Sequence, residues 1–350
     1  MSRVQTVTVG PGDGDQRLDR WLKRHFPHVQ QGSIEKMCRK GEIRVDGGRV
    51  KASTRLEVGN QVRIPPLPEP SETPAERPVA TPRVSDADTK LIQSCVLWRD
   101  DHIIALNKPP GLPTQGGSKQ TRHVDGLAEA LRFGFEDKPR LVHRLDKDTS
   151  GVLLLARTRE MAKALTDAIR NRQTRKIYWA VVAGVPTPYL GEIKYGLVKA
   201  PGHGKGGEGE KMRTLHPREI DSTPGAQRAH TLYATLYRVA GRAAWVAMEP
   251  VTGRTHQLRA HMAAIGHPIA GDGKYGGSGQ ENMGDGWGAQ LGGIISRKLH
   301  LHARSITFLH PVTKKPVTVT APLPDHMVET WNTFGWTEDL AADDPFESLQ

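Results

Sequence analysis

Between residues 65 and 85 the chain carries seven prolines among Glu, Ser, Thr and Ala. Proline fixes φ and removes a backbone donor, and a stretch with so few large apolar residues has nothing from which to build a core. One continuous globule is therefore excluded. The sequence predicts a small module over residues 15–65, an extended, semi-rigid linker over 66–95 and a larger domain over 96–335. Residues 338–350 carry five acidic and no basic residues, which predicts a disordered tail over 336–350. A chain of 350 residues is long enough for this arrangement.

The charge is unevenly placed. Lys and Arg number 49 against 38 Asp and Glu, giving +11 and a pI near 9.7. Residues 17–65 alone hold twelve Lys/Arg and five Asp/Glu, so the small module carries most of the excess. Positive charge concentrated in this way favours a polyanionic partner, because neutralising phosphates releases counterions. Within the module, Leu18, Trp21 and Leu22 share one helical face. Ser33 can cap a second helix carrying Ile34, Met37 and Cys38, with Gly41 placed to end it. Ile43 and Val45 then alternate with polar residues before an Asp46-Gly47-Gly48 turn, and Val58, Val62 and Ile64 suggest a closing strand. Only Cys38 and Cys95 occur, in no metal-like spacing, and neither a signal-peptide core nor a membrane-length apolar run is present. These features lead to the expectation of a soluble cytoplasmic protein.

In the larger domain, Ile103–Leu106 reads as a strand followed by a rigid turn, Asn107 to Pro113. Thr158 can cap a helix with Met161, Leu165, Ala168 and Ile169 on its buried face, and Ile177–Ala183 reads as a strand bearing Tyr178 and Trp179. Gly-rich stretches at 200–209 and 276–293 look like surface insertions. The first is no phosphate-binding loop, since it lacks a Gly-Lys-Ser/Thr ending.

The densest chemistry lies in residues 141–157. Two apolar runs, Leu141–Val142 and Val152–Ala156, flank His143-Arg144-Leu145-Asp146-Lys147-Asp148-Thr149-Ser150-Gly151. Polar groups held on a loop between core strands are commonly functional, although a solvated turn has the same composition. A glycosidase would need two carboxylates about 5–10 Å apart. Asp146 and Asp148, two apart on an extended loop, would point differently. A zinc site drawn from His256, His261, His300 and His302 lacks the spacing that puts two ligands on one helical face.

The nine-residue loop resembles the His-Arg-Leu-Asp-x-x-Thr-Ser-Gly signature of the RluA family of RNA pseudouridine synthases. Asn107-Lys108-Pro109-Pro110-Gly111, Lys176-Ile177-Tyr178 and Gly253-Arg254-Thr255-His256-Gln257-Leu258-Arg259-Ala260-His261 resemble further family motifs in the expected order. Residues 17–65 are similar to the S4-like RNA-binding domain. The resemblance implies an α+β fold: a mixed, mostly antiparallel sheet with flanking helices, plus the S4-like module. It implies isomerisation of uridine to pseudouridine without cofactor or metal, through Asp146, with Tyr178 stacking on a flipped-out uracil and Arg259 facing the carboxylate. Arg144 would fill the space left in the RNA, and Lys36, Arg39, Lys40 and Arg44 would contact phosphates.

The chemistry accounts for these residue types. The C1′–N1 bond breaks, the uracil rotates and rejoins through C5, so a single ionised carboxylate suffices, as nucleophile or as base. Burial opposes ionisation of such an Asp and a guanidinium favours it. A bidentate Arg259–Asp146 pair would also orient the carboxylate. Arg39–Val45, Val62–Pro66 and Gln115–Ser118 look closer to the RluC type than to the RluD type. That implies 23S ribosomal RNA or a large-subunit precursor as partner, no membrane, and a monomer. A non-catalytic ribosome-assembly protein would explain the basic module but leave the 141–157 loop without a role.

Overall fold

The computed structural model describes residues 4–67 apart from 12 and 15, then 84–116, 122–200, 211–276 and 295–349 apart from 342 and 343. The chain divides into two compact units, residues 1–83 and 84–350. Most of the proline-rich linker and nearly all of both Gly-rich stretches lie outside the described residues.

The first unit runs β1 (Gln5–Thr8), α1 (Leu18–His25), α2 (Gln31–Lys40), β2 (Arg44–Val45), β3 (Gly48–Arg49) and β4 (Gln61–Ile64). Its strands form an antiparallel sheet in the order β1-β4-β2-β3. The helices bury Leu18, Trp21, Leu22, Ile34 and Cys38 against Ile43, Val62 and Ile64. Gly41 ends α2 in the left-handed conformation, φ 73°, which glycine adopts without strain. Two expectations need correction. The unit begins before residue 15, since β1 completes its sheet. The second helix starts at Gln31 rather than after Ser33, and the Gln31 amide donates to Asp19 and Glu35.

The second unit opens with α3 (Asp86–Ser94), inside the stretch expected to be linker. Ser85 caps it by accepting from the Asp88 amide, and Ile92 is fully buried against Ile104 and Leu106. The helix was hidden because Leu91 and Ile92 are its only large apolar residues. Next come β5 (Val96–Arg99), β6 (Ile103–Lys108), α4 (Val124–Leu127), β7 (Arg140–Leu141), β8 (Ser150–Ala156), α5 (Arg159–Arg170) and β9 (Thr174–Ala183). The chain continues through β10 (Leu190–Ile193), β11 (Gly196–Lys199), β12 (Met212–Leu215), β13 (Gln227–Arg228), β14 (Thr231–Val239) and β15 (Ala243–Pro250). It closes with α6 (Gln257–Ala264), β16 (Leu301–Leu309), β17 (Pro316–Thr320) and α7 (Asp325–Phe334).

A ten-stranded sheet dominates, with the order β10-β14-β15-β9-β16-β8-β6-β5, β17 beside β16 and β7 beside β8. The architecture is the expected α+β one with a mixed, mostly antiparallel sheet. Every pairing in the ten-stranded sheet is antiparallel except β8 with β16, which run parallel through Ser150–His302 and Gly151–Ala303. All seven residues of β8 are buried, as a central strand covered on both faces requires. At its start Gly151 has φ 108°, and a Cβ there would collide with the Ala303 carbonyl. Only glycine allows the 143–150 loop to turn into the sheet at this point.

The acidic end of the chain packs back on the unit instead of trailing away. Phe346 is fully buried with Trp179, Trp245, Trp331 and Trp336. Asp344 takes a two-pronged contact from Arg175, 2.6 and 2.8 Å, and Glu249 accepts from the same guanidinium at 2.9 Å. Counting charges missed two apolar anchors, Trp336 and Phe346. Phe346→Ala should cost about 3–5 kcal/mol, as for other buried Phe truncations. Chemical unfolding of the full chain measures this, and an unchanged midpoint would mean that the end of the chain is not packed.

Candidate active site

Residues 142–149 join β7 to β8, and the segment is anchored at several points along its length. The amide of Leu154 donates to His143 Nε2 at 2.9 Å. Burial pushes the pKa of that imidazole down to about 3, so the ring serves as a neutral acceptor. Thr114 Oγ1 donates to the Leu145 carbonyl at 2.7 Å and accepts from the Leu145 amide at 3.2 Å. The Lys147 carbonyl accepts from the Gly111 amide and from Lys108 Nζ, both at 2.9 Å.

Lys108 is completely buried. Its ammonium also donates to the carbonyls of Pro109 and Leu112, at 2.9 and 2.8 Å, matching three N–H groups with three acceptors. Burial nevertheless pulls its pKa down to about 7, against the nearby charges of Asp148 and Asp146. At the far end of the loop, Ser150 Oγ donates to His302 Nδ1 at 2.8 Å while His302 Nε2 donates to the Ala321 carbonyl. Asp146 is held out into a cavity of about 600 Å³, and exposed Asp148 is not among the residues lining it.

The opposite wall comes from the segment leading into α6. Arg259 Nη1 donates to Asp146 Oδ2 at 3.1 Å. The expected two-pronged pairing of this arginine with Asp146 is not what forms. Its fork closes instead on Asp272, Nε to Oδ2 at 2.7 Å and Nη2 to Oδ1 at 2.8 Å. Asp272 Oδ1 also accepts from the amides of Lys274 and Tyr275. Burial works against both charges. The Arg259 hydrogen bonds and charge outweigh it and hold the Asp272 carboxyl below the usual carboxylate range. The two carboxylates in turn raise the pKa of Arg259.

His256, at the start of α6 with a left-handed φ of 52°, brings Nε2 to 3.7 Å from Asp146 Oδ2. Its Nδ1 lies 3.0 Å from the Tyr275 hydroxyl, which accepts from the Met212 amide. With that acceptance made, the phenol proton is free for Nδ1, leaving Nε2–H to face Asp146. Gln257 holds the approach to the helix by accepting from Thr252 Oγ1 and the Arg254 amide and donating to the His230 carbonyl and Thr231 Oγ1.

Tyr178, Arg144, Lys176 and Gln115 also line the cavity. Burial, and then the charge of Asp146, push the Tyr178 phenol well above its ordinary pKa, so it stays neutral. Arg144 is exposed. In the separate N-terminal unit, Lys36, Arg39, Lys40 and Arg44 are all exposed, on α2 and β2. Arg39 lines a surface groove with Arg49 and Lys51, and Arg44 donates to the carbonyls of Gly41 and Gly47. The four histidines considered for zinc do not converge, and among the described residues no group of three His, Cys, Asp or Glu is arranged to hold a metal.

Asp146 and Arg259 are thus brought together from positions 113 residues apart. Sequence reasoning named neither Asp272 nor Tyr275, and it carried Lys108 and His256 within motifs without giving either a part in the site. A signal for Asp272 existed in Gly271-Asp272-Gly273, an acid between glycines just after the apolar pair Ile269–Ala270.

Because its folded pKa is depressed, Asp272 contributes stability above the ordinary Asp value of 3.8, and the contribution disappears as pH falls through the folded pKa. Asp272→Asn should lower stability at neutral pH by about 3–5 kcal/mol, the scale for breaking a buried ion pair. The deficit should shrink in acid. Urea unfolding at pH 7, 5 and 3 tests this, and a deficit that does not change with pH would contradict the pairing.

Residues 102–264 match the family described as RNA pseudouridylate synthase, and residues 16–62 match the S4 domain. The Ribosomal large subunit pseudouridine synthase C of Vibrio cholerae serotype O1 is 34% identical, covering 93% of this chain and 95% of its own. Its counterpart from Escherichia coli O6:H1 is 33% identical over 92% of this chain and 94% of its own. Among solved structures, Human RNA Pseudouridylate Synthase Domain Containing 4 matches with a TM-score of 0.56 and 28% identity, over 71% of this chain and 95% of that one.

Proposed function

Since the chain belongs to the RNA pseudouridylate synthase family and carries an S4 domain, we propose that it isomerises specific uridines of 23S ribosomal RNA, with Asp146 as the catalytic residue. The observation that carries the assignment of Asp146 is its carboxylate, offered to a nucleotide-sized cavity while Arg259 holds one of its oxygens at 3.1 Å.

Uracil leaves C1′ and rejoins it through C5; the C5 proton is lost and N1 regains one, so atoms balance without a co-reactant. Arg259 and His256 both address Oδ2, which leaves Oδ1 for the sugar, as nucleophile at C1′ or as base at the ribose. Tyr178, kept neutral, offers its ring to a uracil taken out of the RNA, a contact worth about 1–3 kcal/mol in base stacking. Arg144, exposed beside the loop, would fill the space the uridine vacates.

The S4 domain supplies affinity of another kind. Its exposed Lys36, Arg39, Lys40 and Arg44 suit phosphate contacts, and tethering raises the concentration of RNA at the cavity. Ribosomal RNA as substrate places the reaction in the cytoplasm, where the two free cysteines also fit. No helix among the described residues is long and apolar enough to cross a membrane. We take the acting form to be a monomer.

Asp146→Asn should retain binding to a 23S RNA transcript while pseudouridine formation falls to background, and full activity in this variant would overturn the assignment. Pseudouridine mapping in cells lacking the protein should show losses at large-subunit sites. Loss confined to transfer RNA would contradict the proposed substrate.

A further inference from the structure

One charged group in the cavity has no part in the chemistry above. Lys176 sits on β9 two residues before Tyr178, so strand alternation turns both side chains to the same face, about 7 Å apart along the strand. Both line the cavity, together with Val142, His143 and Ile169. The lysine is half-buried, and no hydrogen bond or ion pair engages it among the described residues.

The neighbouring cations are all occupied or solvated. Arg175, next along the strand, is held by Glu249 and Asp344. Arg259 spans Asp146 and Asp272, and Arg254 donates to the Arg228 carbonyl. Arg144 is exposed. The titratable group that feels Lys176 is His143, and its Nε2 is committed to the Leu154 amide, so it brings no negative charge. Burial alone pulls the lysine's pKa down, and among the described residues no carboxylate is close enough to oppose it. A cation placed in a cavity wall without a counterion is costly to the protein alone, and an anionic ligand removes that cost.

We propose that Lys176 forms a phosphate subsite: its ammonium takes a phosphate flanking the flipped uridine while Tyr178 takes the base. The inference rests on the reading of the cavity as a uridine site and adds a binding contact that this reading does not contain. The geometry suits it, because one ribose separates a base from its adjoining phosphate, comparable to the ~7 Å between the two residues along the strand. A single charge-assisted contact of this kind corresponds to about a tenfold gain in affinity.

The test uses the full-length chain and small probes: uridine, uridine 5′-monophosphate and uridine 3′-monophosphate, titrated by NMR or calorimetry. The wild type should bind at least one of the two monophosphates about tenfold more tightly than uridine, a gain of one charge-assisted hydrogen bond. Lys176→Met should bind all three alike, with uridine affinity unchanged, and Lys176→Arg should restore part of the preference. Removing an unpaired, half-buried charge should leave the unfolding midpoint no lower than that of the wild type, so a lost preference can be separated from misfolding. No preference in the wild type, or a preference that persists in Lys176→Met, would overturn the proposal. None of these measurements requires turnover, so failure of the Asp146 assignment would show separately, as pseudouridine formation that survives Asp146→Asn.

Discussion

The Arg259 guanidinium spans two carboxylates, and the catalytic unit depends on the unequal way in which it does so. Its fork is spent on Asp272, which is wholly buried and further fixed by two backbone amides. A single remaining N–H reaches Asp146, whose side chain is 29% exposed. The arrangement separates two tasks. Asp272 sets the plane and position of the guanidinium, and the guanidinium then holds one oxygen of Asp146 without enclosing the other. A bidentate Arg259–Asp146 pair would have oriented the carboxylate more firmly but occupied both of its oxygens.

The same logic governs the loop that carries Asp146. Lys108, Thr114, His143 and Ser150 all spend their hydrogen bonds on positioning. Three of the four act on backbone, and Ser150 acts through His302. Gly151 allows the loop to meet β16 closely enough for the short parallel pairing that places β8 at the sheet's centre. Internal contacts of this number fix the loop before any substrate arrives, which is how preorganised polar groups are most effective.

Much of this was legible in the sequence, and what was missed has physical causes. Asp146, Tyr178 and Arg259, which line one cavity, could be put forward as candidates because each falls in a local motif. Asp272 was passed over, because its Gly-Asp-Gly signal also reads as an ordinary turn until the chain folds it against α6. Lys108 was visible only as part of a rigid turn; that its ammonium is buried under three carbonyls is a fact of tertiary structure. Charge averaging misread the end of the chain as disordered, since five acidic residues obscured the anchoring by Trp336 and Phe346. The stretch expected to be linker was drawn too far toward residue 95, because α3 is a helix stabilised by burying Ile92 and not by its own amphipathic pattern.

The central claim is that catalysis depends on the shape of the Arg259 contact as well as its charge. Arg259→Lys keeps a positive charge but cannot hold Asp272 in a planar fork and reach Asp146 at once. Single-turnover pseudouridine formation on 23S RNA should then fall by about a hundredfold or more, the scale for a misplaced reacting group, while RNA affinity stays unchanged. A lysine variant that turns over at the wild-type rate would contradict the account.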